Sequence, residues 1–131
     1  LGTPEKYLKA HKDILKGLLP IMSHDFNKEE QYISKSAKIS RTARIIGPAY
    51  IGDHVEIDSF AVIGPGTVLC DSSQVGSNSR IIGSVIWDRV NVGYGASLIN
   101  SVVMSNCRVD RYMTRTNAIL AGDISHTMAL V

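Results

Sequence analysis

Cysteine is scarce: Cys70 and Cys107 are the only two in 131 residues, and no Cys or His pairs recur at metal-ligand spacing. That argues against a disulfide scaffold or a structural zinc site, and it fits a reducing, cytoplasmic setting. An excess of one charge is also lacking, with 14 Lys+Arg against 12 Asp+Glu. So even a balance calls for neither nucleic acid nor another strongly anionic partner. No apolar run approaches the roughly 18 residues of a membrane-spanning helix, and no charged-then-apolar leader opens the chain. The reading is a soluble protein without a membrane partner. Its length fits one domain with a short appendage. It begins with Leu1 rather than Met and enters a helix-start signal at once, which is the look of a piece of a longer chain.

That signal is Thr3-Pro4-Glu5: a hydroxyl for the first free amides, a proline where no N–H is needed, and an acid at the positive dipole end. Tyr7, Leu8, His11, Ile14, Leu15, Leu18 and Leu19 then form one face, and Lys6, Lys9, Lys12, Asp13 and Lys16 the other, up to Pro20. The expectation is one amphipathic α-helix within residues 1–22. Residues 23–32 turn polar and aperiodic and read as a linker.

Residues 33–131 read as a repeat. Ile33, Ile39, Ile45, Ile51, Ile57, Ile63, Leu69, Val75 and Ile81 recur every six residues without a gap. Four places after each stands a small residue: Ala37, Ala43, Ala49, Val55, Ala61, Thr67, Ser73, Ser79 and Val85. Side chains alternate along a strand, so the small residue and the next aliphatic share the inward side. Turn formers such as Gly47-Pro48, Asp53-His54, Pro65-Gly66, Asp71-Ser72 and Ser77-Asn78 fill the corners. Three units close an 18-residue triangular coil, and each unit buries an aliphatic worth about 1.5 to 3 kcal/mol. Past Ile81 one residue drops out per coil, giving Ile86, Val92, Leu98, Val103 and Val109, with Val90, Ala96, Val102 and Cys107 at the small places. The fold class is all-β, a parallel β-helix of roughly four to five coils. Left-handedness is implied by likeness to hexapeptide solenoids rather than by the spacing. After Val109 the pattern weakens, and residues 112–131 read as a further irregular coil or, preferably, a strand capping the open end.

Chemistry is poorly represented. His54 is the only histidine within the regular coils and sits on a corner, where a solvated turn residue is a better reading than the general base of a hexapeptide acyltransferase. His11, His24 and His126 lie outside the regular coils and do not make a three-histidine zinc site. Gly64-Pro65-Gly66 and Gly93-Tyr94-Gly95 fall on corners, not in a phosphate loop. No catalytic residue and no metal ligand is assigned.

The opening run Leu1-Gly2-Thr3-Pro4-Glu5-Lys6-Tyr7-Leu8-Lys9-Ala10-His11 resembles the segment that ends the catalytic domain of sugar-phosphate nucleotidyltransferases. The solenoid, including Ser84-Val85-Ile86-Trp87-Asp88, resembles their C-terminal β-helix. The mannose-1-phosphate guanylyltransferase-like group is nearest, with adenylyl-, uridylyl- and thymidylyltransferases as neighbours. The resemblance implies a parent that makes a nucleotide sugar, GDP-mannose foremost, from an NTP and a sugar-1-phosphate with Mg²⁺. Gly2 and Thr3 match the rim of the substrate site. The phosphate loop, and the metal-binding aspartate that would precede Leu1, are not in this sequence. This chain alone is therefore expected to be inactive and to need no cofactor. Its partners are its own catalytic domain and further copies of itself. A hexapeptide acyltransferase and a free-standing scaffold remain as alternatives.

Outward residues, read in columns one coil apart, sort the faces. Glu56, Gln74, Asn91 and Arg108, with Asp58, Gly76, Gly93 and Asp110, make a polar face. Tyr50, Val68, Cys70, Trp87 and Met104 make one apolar face, and Ile46, Val62, Ile82 and Ile99 another. Columns of that length suggest burial against partners, and the Trp87 face is the preferred contact between subunits.

Overall fold

The computed structural model describes residues 27–122 and the backbone strand Thr127–Ala129. The helix expected within residues 1–22 lies outside the described residues, as do Gly2 and Thr3. What is described is all-β: seventeen short strands, β1 to β17, of two or three residues each. They form three sheets in which every third strand is a neighbour. The first sheet runs β1-β4-β7-β10-β13-β16-β17, the second β2-β5-β8-β11-β14 and the third β3-β6-β9-β12-β15. All pairs are parallel except β16 (Ala118–Leu120) with β17 (Thr127–Ala129). The result is a parallel β-solenoid of about five coils, closed at one edge of the first sheet by a reversed strand.

The six-residue aliphatics make the core. Ile51, Ile63, Leu69, Ile81, Ile86, Leu98 and Val103 are wholly buried, and Ile57, Val75, Val92 and Val109 nearly so. Burial fades toward the first coil: Ile39 and Ile45 are half-buried and Ile33 is 37% exposed, because among the described residues no coil stacks above them. The strands begin earlier than the repeat. Gln31 and Tyr32, within the segment read as linker, pair with Ala49 and Tyr50 in β1 (Gln31–Ile33) and β4 (Ala49–Ile51). Asn27 starts that strand by accepting the amides of Glu29 and Gln31 at Oδ1.

Corners turn through the left-handed region at His54, Gly66, Ser72 and Asn78, the second residue of four of the five turn pairs read from the sequence. Hydroxyls at the inward small places do not go unpaired. Thr67, Ser73 and Ser79 donate to the carbonyls of Ile81, Trp87 and Gly93 at 3.2, 2.7 and 2.9 Å.

The shortened coils correct one assignment. Val85 and Val102, read as inward small residues, stand on the outer side of the first sheet, Val85 paired with Val68 and Val102 with Val85. Ser84 and Ser101, both wholly buried, occupy the inward places instead. The residue is lost at the Pro65-Gly66 corner, where the later coils have only Gly83 or Asn100, so the strand resumes one position early. The serines complete the shortened turn. Ser84 Oγ accepts the amide of Ser101 at 3.0 Å, and Ser101 Oγ accepts that of Ala118 at 3.1 Å. Segment 112–120 continues the solenoid as β15 (Thr114–Thr116) and β16, so a further coil and a capping strand are both present.

Candidate interaction surfaces

A triangular solenoid presents three outer faces, and strand register sets what each carries. On the second sheet Lys38, Glu56, Gln74, Asn91 and Arg108 stand in one column. Asn91 donates to Gln74 at 3.2 Å. Beside them Asp58, Gly76, Gly93 and Asp110 follow, one residue past the inward aliphatic. This is the polar face read from the sequence, and its charged members are exposed.

The outer face of the first sheet is apolar. Tyr50, Val68, Val85, Val102 and Ile119 make one column and Cys70, Trp87 and Met104 the next. Val68, Val85, Val102 and Ile119 are at most 9% exposed, and Tyr50, Cys70, Trp87 and Met104 pack against them half-buried. Tyr32 and Tyr50 stack with ring centroids 4.9 Å apart. The structure thus gathers all five residues of the expected Trp87 face, and adds two valines that the sequence reading placed inside, Val85 and Val102, and one isoleucine that it left out, Ile119. The Cys70 thiol is pushed up to about 11, first by burial and then by the carboxylates of Asp88 and Asp71. It is a poor nucleophile at neutral pH. Burial also raises the Tyr50 phenol, with Tyr32 and the nearby acids adding to it.

At the corner between these two faces Asp53, Asp71 and Asp88 recur coil after coil, and their carboxylates stitch the turns. Asp71 Oδ1 accepts the Asp53 amide at 2.9 Å, Ser34 Oγ donates to Asp53 at 2.5 Å, and Ser105 Oγ donates to Asp88. That last bond, with Arg89 beside it at 2.7 Å, holds the Asp88 carboxyl below the usual range. His54 is exposed on this corner, and its amide donates to Ser36 Oγ at 3.0 Å. These are turn-building contacts. Among the described residues no group of three or more His, Cys, Asp or Glu side chains is placed to hold a metal ion.

The third sheet differs from its sequence reading in one column. Ile46, Ile82 and Ile99 do share a line, with Gly64 between the first two, but Val62 belongs to the neighbouring line, between Arg44 and Arg80. The two residues fall on opposite sides of an inward aliphatic, Ile63, which spacing without register does not reveal. Gly64 is required there: a Cβ would lie 2.6 Å from Ile82 Cγ1. Ile46 is 42% exposed on this face. Along its edge stand Phe60, Tyr94 and Tyr112, at 62%, 41% and 69% exposure. Tyr112 meets Tyr94 edge-on at 5.6 Å and lies over Gly95, where a Cβ would come within 2.8 Å of its ring. The sequence reading passed over this aromatic edge because its members sit at corners, outside the strand periodicity.

Stacked three-sided coils with stitched corners define the class, a hexapeptide-type parallel β-solenoid. The family model of the GMPPB C-terminal domain matches residues 45–131, about two thirds of the chain, and the chain belongs to that family. This agrees with the resemblance to the C-terminal solenoid of sugar-phosphate nucleotidyltransferases. No curated protein matches in sequence. Similar solved structures include a perosamine N-acetyltransferase from Caulobacter crescentus in complex with CoA and GDP-perosamine, 20% identical, TM-score 0.40, with 77% of this chain and 56% of that one covered. The acetyltransferase domain of PglB from Neisseria gonorrhoeae is 16% identical, TM-score 0.33, with 91% and 66% covered. This chain spans little more than half the length of the first.

Proposed function

We propose that the chain is the C-terminal association and regulatory domain of a cytoplasmic nucleotidyltransferase that joins an NTP to a sugar-1-phosphate, GTP and mannose-1-phosphate foremost, and that it does not itself catalyse the reaction. The match of residues 45–131 to the GMPPB C-terminal domain carries this reading. Left-handed winding goes with it, as in other hexapeptide solenoids. In the parent, Mg²⁺ would sit on the catalytic domain. The domain's own task is contact: with its catalytic domain, and with other subunits through the half-buried side chains of the Trp87 face.

Pyrophosphate release tests the proposal. With Mg²⁺, GTP and mannose-1-phosphate, the parent should turn over and the purified 131-residue chain should not. Turnover by this chain, host enzyme excluded, would refute the reading. Tight acetyl-CoA binding by the chain would replace it with an acyltransferase.

A further inference from the structure

We infer that the outer face of the third sheet docks an acidic, partly apolar polypeptide surface that is not a second copy of this chain. Three observations meet there. Arg44 and Arg80 stand exposed in its first column, and no Asp or Glu occurs on any strand of this sheet. Its second column is apolar, with Ile46 42% exposed and Ile82 and Ile99 half-buried. At its edge, Phe60 and Tyr112 take the left-handed corner position at φ 61° and 62°, which Asn78 and Gly95 hold in the intervening coils. A bulky ring there is unfavourable for the backbone and most of its surface meets water, so neither folding nor the core accounts for it.

Exposed aromatics, aliphatics and arginines in one patch have the composition of an interface centre. Among the described residues neither arginine has an ion-pair partner, and the one ion pair there joins Arg89 to Asp88 on a different corner. Asp58 and Asp110 belong to the adjoining polar face, and Asp53, Asp71 and Asp88 to the corner between the other two sheets. Charge then decides the occupant. A two-fold contact would lay this face on itself, bringing arginines toward arginines with no carboxylate between them, and like charges in a closing interface are costly. An acidic surface with apolar side chains meets both columns at once.

A random copolymer of glutamate and tyrosine is a direct probe, with polyglutamate of equal length as the control. Titrated against the fluorescently labelled chain, the copolymer should bind about tenfold tighter than polyglutamate, and the Arg44→Glu/Arg80→Glu double variant should weaken both by about tenfold or more. Ile82→Ser should erase the advantage of the copolymer while leaving polyglutamate binding in place. If the double variant does not fold, Arg80→Gln alone should still weaken binding by about threefold. The inference is overturned by absence of copolymer binding, or by equal binding to parent and folded arginine variants. It is equally overturned if polyuridylate binds tighter than the copolymer, or if light scattering shows a parent dimer that Ile82→Ser dissociates.

Discussion

Ile63 shows what a single side chain does in this fold. It is wholly buried between coils, with Ile45 on one side of the stack and Ile81 on the other. Ile63→Ala should cost about 2 to 5 kcal/mol in chemical denaturation, and Ile63→Asp should leave the chain unfolded at 25 °C. A melting temperature near that of the parent for the aspartate variant would contradict the inward assignment. Cys70 gives a second test, in pH. Its thiol titrates at about 11 in the folded chain against 9.0 unperturbed, so the folded state keeps a proton that the unfolded state has begun to lose. The stabilisation is complete below the unfolded value and declines as pH rises through the folded one. Urea midpoints should therefore fall more for the parent than for Cys70→Ser between about pH 8 and about pH 10.

At the scale of the strand and its corner, the two serines that complete the shortened turns make the sharpest case. Ser84→Ala removes the acceptor of the Ser101 amide inside a dry core, and should destabilise the chain by about 1 to 3 kcal/mol. Ser84→Thr, which keeps the oxygen, should restore part of that loss; equal stability for all three chains would mean the hydroxyl is idle. This element also marks how far the sequence could be read. The inward aliphatics were legible from Ile51 to Val109 because a six-residue period with one dropped residue leaves the aliphatic register recoverable. Ser84 and Val85 were not, because both are small enough for the inner place and only the paired neighbour distinguishes them. Val62 and Ile82 were likewise separated only by pairing, since two outward columns flank each inward one. The polar face was legible in full: charged side chains resist burial, so pattern and register agree there.

For the whole molecule, the three faces differ in what remains open to a partner. The first sheet keeps Trp87 and Met104 partly reachable over a buried layer. Light scattering should show the parent chain heavier than a monomer, Trp87→Glu shifted toward monomer, and Ile82→Glu unchanged in mass. A folded Trp87→Glu chain of parental mass would remove that face from self-association. The covered valine column was the part of the candidate surfaces least visible in advance, because a valine facing outward and a valine facing inward look alike in a one-letter string.

The dropped residue at the third-to-first corner has a consequence for length. From Ile82 onward the coils repeat every 17 residues with matching corners, Gly83 and Asn100 both taking the left-handed turn at φ 59° and 50°. Excising residues 83–99 would join Ile82 to Asn100 and bring each remaining column into line with the one above it. Such a chain would be shorter by one strand spacing, about 4.8 Å, and every buried side chain would meet the same kind of neighbour as before. The solenoid behaves as a graduated ruler: the distance between what is fixed at its first coil and what is fixed at its capped end is adjustable in whole steps, independently of how the interior is filled.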